Sequence, residues 1–436
     1  MNQREVHRMV GPDTLTLDRD DIEKMQATKL RALLADVLPS NAFYSGRFKE
    51  AGLSPQQIQV PADLRRLPFT TKAELQEDQA RHPPYGTNLT FPLAHYSRLH
   101  QTSGSYGKPL RWLDTPKTWN WMLDCWTEYF RIIGLRSDDR LFFPFSFGPF
   151  LGFWTAFEAA ARLGNFCLPA GGMSSTARLR FLMDNEATIV LATPTYAQHL
   201  ADVARAEGID LVRSPVRAVI VAGEPGGGIP ATRERIEKGW GARLFDHTGM
   251  TEIGPAGIEC PDNPVGLHLL ETDYIAEIID PETAEPIAPD QTGELVLTNL
   301  GRTGSPLIRY RTGDLVRRDS KACPCGRHLL RLQGGILGRV DDMIHLRGNN
   351  VYPSALEAVI RRFPEVAEYR VEVDQSATLP SLRIEVEPIS RVERGLLAER
   401  VDRAIREEFL FRAEVREVAP GSLPRFEMKA QRIKRS

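Results

Sequence analysis

Five segments carry glycine, hydroxyl, carboxylate or lysine side chains at a spacing that suits a phosphorylated substrate. In QTSGSYGKPLRW at 101–112, Gly104 and Gly107 stand among Thr102, Ser103 and Ser105, with Lys108 following. Glycines let backbone N–H groups close on an anion, hydroxyls donate to it, and an ammonium adds a point charge, so the chemistry is phosphate binding. The spacing is not that of a Walker A loop, and the same composition also makes an ordinary Ser/Gly turn. In DHTGMTEIG at 246–254, Thr251 and Glu252 suit a phosphate and an oxygen-liganded Mg2+. The competing reading is a helix N-cap. In YRTGDL at 310–315, Asp314 follows a tight turn and can accept from a pair of sugar hydroxyls or close an Asx turn. GRVDD at 338–342 offers Arg339 for a ribose or phosphate and Asp341 where a linker would flex. PRFEMKAQRIKRS at the C-terminal end holds Lys429, whose ammonium would stabilise developing phosphate charge if its segment closed over the rest. Taken alone, that lysine reads as surface charge.

Two further groups carry chemistry of other kinds. PFSFGPFLGFW at 144–154 brings Phe145, Phe147, Phe150 and Trp154 beside the small residues Gly148 and Gly152. These residues suit the wall of a flat aromatic acid pocket, although Trp154 and Phe157 read as core. The five cysteines are too few for a disulfide framework in a chain of 436 residues. Cys260, Cys323 and Cys325 with His268 form a three-thiolate, one-imidazole set that suits structural Zn2+. His328 competes for the fourth place, unpaired loop cysteines are the alternative, and Cys125 and Cys167 read as core.

Elements must bring these segments together. Between 141 and 245 short apolar runs alternate with amphipathic stretches, the signature of a parallel sheet with crossover helices. Ligands of such sheets bind beyond the strands' carboxyl ends, where PFSFGPF, ATPTY, AGEPGGG and DHTGMTE lie. The preceding region is mostly helical. Apolar spacing predicts a helix over 18–38, and Thr70 or Thr71 caps another. From 274 to 316 apolar and polar residues alternate as strands, and the stretch after GRVDD reads as a small α+β unit. The expected fold class is α/β. A large N-terminal domain (1–337) with parallel-sheet subdomains and a β-rich subdomain is followed by a hinge (338–342) and a small mobile α+β lid (343–436). A net charge of −2 gives no reason to expect nucleic acid or an anionic membrane as partner. No apolar stretch reaches membrane-helix length and the start lacks a secretory signal. A cytoplasmic location is the resulting expectation.

The ordered set LPFTTKAEL, TSGSYGKP, AGEPGG, HTGMTE, PLIRYRTGD, CPCGR, GRVDDMIHLRGNNVYPSALE and the terminal lysine resembles the adenylate-forming acyl-CoA synthetase superfamily. More narrowly, it resembles the phenylacetate–CoA ligase family, over nearly the whole chain. The resemblance implies ATP- and Mg2+-dependent conversion of an aryl or arylacetic acid to an acyl-adenylate, with release of pyrophosphate, then transfer to coenzyme A. It implies that Thr102, Ser103, Gly104 and Lys108 embrace the ATP phosphates, although Tyr106 stands where a threonine is commoner. By the same resemblance Gly223, Glu224 and Pro225 line the adenine site beside Asp246 and His247. Thr251 contacts the α-phosphate, Glu252 helps hold Mg2+, and Asp314 accepts from the ribose with Arg339 nearby. Lys429 bridges carboxylate and phosphate, and Asp341 is the hinge. A homodimer is also implied. Transfer to an amine or a carrier-protein thiol, and a non-catalytic nucleotide sensor, are the alternatives.

Overall fold

Capping explains where the first helices begin. Helix α1 (Arg19–Val37) starts at Asp18, whose side chain accepts the Asp21 N–H. Helix α2 (Ala42–Glu50) starts at Asn41, and α3 (Lys72–Arg81) at Thr71 in a capping box with Glu74. Thr70 is instead bridged to Tyr310, its N–H donating to the Arg309 carbonyl at 2.9 Å. The chain continues through β1 (Arg98–Gln101), β2 (Arg111–Asp114), α4 (Pro116–Ile132), β3 (Arg140–Phe143), α5 (Trp154–Arg162), β4 (Phe166–Pro169), α6 (Ser175–Asp184), β5 (Ile189–Ala192), α7 (Pro194–Ala206), β6 (Ala218–Val221), α8 (Pro230–Trp240) and β7 (Arg243–Met250). Strands β8 (Gly254–Glu259), β9 (Gly266–Leu269), β10 (Tyr274–Ile279), β11 (Thr292–Asn299), β12 (Tyr310–Arg317), β13 (Arg331–Gln333) and β14 (Gly338–Arg339) follow. The last part is β15 (Ile344–Leu346), β16 (Asn349–Val351), α9 (Pro353–Ile360), β17 (Val366–Asp374), β18 (Ser381–Pro388), α10 (Leu396–Phe409), β19 (Glu414–Glu417) and β20 (Ile433–Arg435). This computed structural model describes residues 13–102, 109–346, 349–374, 381–389, 396–409, 411, 413–426 and 430–435. Ser103, Gly104, Lys108 and Lys429 therefore lie outside the described residues.

The central sheet has eight strands in the order β13-β9-β8-β7-β6-β5-β3-β4. From β4 to β7 it is parallel, as the alternating pattern predicted, and from β7 to β13 it is antiparallel. Successive side chains divide between its faces. Leu141, Phe143, Ile189, Leu191, Ile220 and Phe245 pack with α4 and α5 on one side. Phe142, Val190, Val219, Val221 and Leu244 meet α6, α7 and α8 on the other. Burial on both faces is why these strands are continuous apolar runs. A second, antiparallel sheet, β10-β11-β12-β14, is the expected β-rich part. Its edge packs against the N-terminal helices through Ile275, Leu300 and Ile308.

The C-terminal α+β domain, expected as a lid, has its own core. Val371, Ile384 and Val386 of the β19-β18-β17-β20 sheet pack on Leu356 and Ile360 of α9 and on Val401 and Ile405 of α10. Of the hinge stretch, Gly338 and Arg339 pair with β12, and 340–342 lead to β15. Among the described residues no helix is long and apolar enough to cross a membrane.

Candidate active site

The segments after β3, β6 and β7 gather at the carboxyl end of the parallel sheet, with the lid's tail reaching them. Strand β7 runs to Met250 and turns through Thr251–Ile253 directly into β8, so no helix starts at Thr251 and the capping alternative fails. The turn is gripped from beneath. The Arg302 guanidinium donates to the carbonyls of Thr251 at 2.7 Å and Glu252 at 2.9 Å. It also forms a bidentate pair with Asp114, at 2.8 and 2.5 Å, and both side chains are fully buried. Asp114 ends β2, the strand that leaves the 101–112 loop. One ion pair thus keys the β1–β2 hairpin to the Thr251–Glu252 turn.

Thr102 closes the neck of that loop. Its N–H donates to the Leu110 carbonyl at 2.9 Å, and its hydroxyl accepts the Leu110 N–H at 3.0 Å. Gln101 N–H donates to the Pro149 carbonyl at 2.7 Å, which joins the end of β1 to the aromatic loop after β3. In that loop half-buried Phe145 and Phe147 meet with centroids 5.1 Å apart, and Phe147 packs on Trp154 at 4.5 Å. Gly148 is exposed, and its carbonyl accepts the Trp154 indole N–H at 3.0 Å. Trp154 and Phe157 pack against the core as expected. The aromatic contacts continue from Phe145 to Phe153 and on to His247.

His247 is buried, and burial pushes its imidazole down to about 4, so it is neutral at physiological pH. Nδ1 lies 2.8 Å from the Gly257 carbonyl, which can only accept, so Nδ1 carries the proton. The neighbouring Asp246 carboxyl is pushed up to about 7 by burial and by Glu259. The glycines of AGEPGGG follow from this crowding. A Cβ on Gly227 would lie 2.4 Å from the Asp246 Cγ, and one on Gly228 would lie 2.4 Å from the Gly334 carbonyl oxygen. Arg233 of α8 holds the loop in place. It donates to the Gly227 carbonyl at 3.1 Å and the Leu244 carbonyl at 3.2 Å while pairing with buried Glu259.

Gly223 turns through a positive φ of 95° and is exposed, as is Pro225. Glu224 between them accepts the Thr195 N–H at 2.9 Å and, from the lid, the Ala430 N–H at 2.7 Å. Asp314 follows Gly313, whose φ is +76°. Its carboxylate accepts from Arg339 at 2.8 Å, and Arg339 also donates to Asp341 at 2.9 Å. The Asp314 carboxylate and the expected hinge residue thus share one guanidinium.

A separate assembly lies at the antiparallel end of the central sheet. Ligand atoms of Cys260, His268, Cys323 and Cys325 all fall within 4.8 Å of one another. Cys260 Sγ is 3.6 Å from Cys323 Sγ, and Cys325 Sγ is 3.4 Å from His268 Nε2. A tetrahedron with Zn–S bonds of about 2.3 Å has edges of roughly 3.8 Å, so the donor set fits that ion. His328 is exposed and outside this group. Cys125 is core and Cys167 packs against it.

Sequence reasoning missed Lys72, Arg302, Asp114 and Arg233. Lys72, in the first turn of α3, places its ammonium 3.5 Å from the Glu252 carboxylate. A lysine early in a helix reads as surface charge. Arg302 and Asp114 are 188 residues apart, and no local pattern joins them.

The AMP-binding enzyme family matches residues 46–301, and the AMP-binding enzyme C-terminal domain matches residues 348–435. A phenylacetate-coenzyme A ligase of Thermus thermophilus is 31% identical over 440 residues, covering 96% of this chain and 97% of that protein. The chain belongs to the phenylacetate–coenzyme A ligase family of AMP-binding enzymes. This bears out the resemblance carried by the ordered motifs. A solved 2-hydroxyisobutyryl-CoA ligase in the postadenylation state with 2-HIB-AMP matches this family member with a TM-score of 0.91 at 28% identity, covering 97% of this chain and 91% of that one. With 2-HIB-AMP and CoA in the thioesterification state, the TM-score is 0.73 at the same 28% identity, covering 96% and 91%. The arrangement of the whole chain is thus closer to the former.

Proposed function

We propose that this chain is an AMP-forming acid–coenzyme A ligase acting on an aryl or arylacetic acid. A carboxylate oxygen attacks the α-phosphorus of ATP and the bond to pyrophosphate breaks. The coenzyme A sulfur then attacks the acyl carbon, the bond to AMP breaks, and the thiol proton is lost. A carboxylate is a poor electrophile and AMP a good leaving group, so no enzyme nucleophile is needed. Catalysis rests on positioning and on neutralising phosphate charge.

The observation that carries this reading is that the AGEPGG loop and the Thr251–Glu252 turn follow the adjacent strands β6 and β7 at the carboxyl end of the sheet, with the lid tail bonded to the first of them. Thr102, Ser103, Gly104 and Lys108 hold the phosphates. Gly223 and Pro225 lie along the adenine with Asp246 and His247, and Asp314 takes the ribose hydroxyls with Arg339. Thr251 meets the α-phosphate and Lys429 completes the charge on the lid side, with Asp341 as the pivot. Glu252, a buried carboxylate beside the Lys72 ammonium, is a suitable oxygen donor for Mg2+. When bound, that ion neutralises phosphate charge. Phe145 and Phe147 support an aryl substrate, packed beside exposed Gly148. The test is a panel of aryl, arylacetic and short aliphatic acids in a pyrophosphate-release assay, with and without coenzyme A. Arylacetic acids are expected to give pyrophosphate and a thioester. Pyrophosphate without thioester would point to an amine or carrier-protein acceptor, and no pyrophosphate at all to a nucleotide sensor.

Zn2+ held by Cys260, His268, Cys323 and Cys325 ties the end of β8 and strand β9 to the loop before β13. Protein purified without chelator is expected to carry about one zinc per chain, and stripping it should lower the melting temperature by ~5 °C or more. Metal analysis and a thermal melt check this, with Cys325→Ser expected to reproduce the loss. Zinc-free protein with an unchanged melt would overturn it.

A further inference from the structure

Both oxygens of Glu224 are engaged by backbone amides from opposite sides of the domain boundary. One accepts the Thr195 N–H at 2.9 Å, the other the Ala430 N–H at 2.7 Å. Thr195 is the second residue of α7, so its amide is one the helix leaves unpaired, and the helix dipole favours the carboxylate there. Ala430 belongs to the lid and directly follows Lys429. The same tail makes a second contact with the same place. Arg432 is buried, pairs with Glu368 at 2.7 Å and Glu357 at 3.5 Å within the lid, and donates to Thr195 Oγ1 at 3.1 Å. Two contacts just beyond Lys429 therefore converge on Glu224 and its neighbour Thr195.

We propose that Glu224 is a positioning residue that latches the lid's tail for adenylation, with Thr195 as the second point of the latch. It rests on the adenylation reading above. It adds to what the motif is for, because the carboxylate of AGEPGG accepts an amide of the lid. The latch is made in an arrangement that matches the postadenylation-state ligase at a TM-score of 0.91 and the thioesterification-state one at 0.73. An interaction present in one arrangement alone acts on the rate of the step made there, not on both half-reactions equally.

Glu224→Gln keeps one acceptor oxygen and replaces the other with a donor, so one of the two amides faces another donor. The full chain would be assayed for pyrophosphate release with phenylacetate, and for thioester formation from synthetic phenylacetyl-adenylate and coenzyme A. The ratio of the first rate to the second is expected to fall about 10- to 100-fold, with ATP affinity held within about threefold. Thr195→Val removes the Arg432 acceptor and is expected to lower the ratio in the same direction by a smaller factor. It also carries the test if Glu224→Gln does not fold. Amide hydrogen exchange, which needs no substrate, is expected to quicken in peptides containing Ala430 and Thr195. Equal losses in both half-reactions, a parallel rise in the ATP dissociation constant, or unchanged exchange at Ala430 would overturn the latch. If the wild-type chain releases no pyrophosphate with phenylacetate, the activity reading fails, while the exchange measurement still decides the latch.

Discussion

Replacing Lys429 with alanine is expected to lower adenylate formation by about 10²- to 10³-fold, the range seen when one preorganised donor to a developing oxyanion is removed. Two anions, the substrate carboxylate and the α-phosphate, must approach within bonding distance, and their repulsion is greatest at that moment. On the proposed reading an ammonium delivered by the lid neutralises it, so the loss should fall on kcat. On the proposed reading ATP in the ground state is met by groups of the large domain, among them Thr102, Thr251 and Asp314, so its affinity should change by less than about threefold. Structural support comes from Ala430, the next residue, whose amide is 2.7 Å from the Glu224 carboxylate. Single-turnover pyrophosphate release and equilibrium ATP binding separate the two effects. Full activity in the variant would remove the proposed role.

The second large effect is expected at a residue that reaches no substrate. Arg302→Met leaves the fully buried Asp114 carboxylate without its guanidinium and releases the Thr251 and Glu252 carbonyls. Breaking one partner of a buried pair costs about 3–5 kcal/mol, a large part of the ~5–15 kcal/mol by which domains are stable. Urea unfolding should show this loss, and adenylation should fall with it because the turn bearing Thr251 and Glu252 is freed. Arg302→Lys is not a conservative change here. A single ammonium cannot span two carboxylate oxygens and two carbonyls in the plane that a guanidinium serves. The double variant Arg302→Met/Asp114→Leu distinguishes stability from positioning. Removing both charges should recover much of the stability, since an apolar pair in the same volume is often as stable. It should not recover the rate, because neither side chain can hold the carbonyls. A single-variant cost below about 1 kcal/mol would show that the pair is not doing this.

The parts of the fold that depend on neighbours in sequence were legible. The parallel half of the central sheet followed from apolar runs at β3, β5 and β6, buried on both faces. The C-terminal α+β unit followed from the change of pattern after GRVDD, and its residues do form a separate core. The turn of β7 into antiparallel β8 was not foreseen, because Thr251 and Glu252 are equally good at opening a helix and at ending a strand. The turn that formed is held by Arg302, far away in the chain and fully buried, and by the pairing of β7 with β8.

The residue types for phosphate, adenine and acid handling, their order, and the family to which they belong are properties of the sequence alone. Glycines, hydroxyls and carboxylates at short spacing are local facts, and an ordered set of them does not depend on how the chain folds. Tertiary structure alone decided which groups those residues work with. Asp114 was joined to Arg302, Lys72 to Glu252, Arg233 to Glu259, and His268 rather than His328 to the three thiols. It also set the Glu224 carboxylate between the amides of Thr195 and Ala430. The reason is physical. A buried charge must find its counter-charge wherever packing places one, and packing brings together residues whose separation along the chain carries no signal.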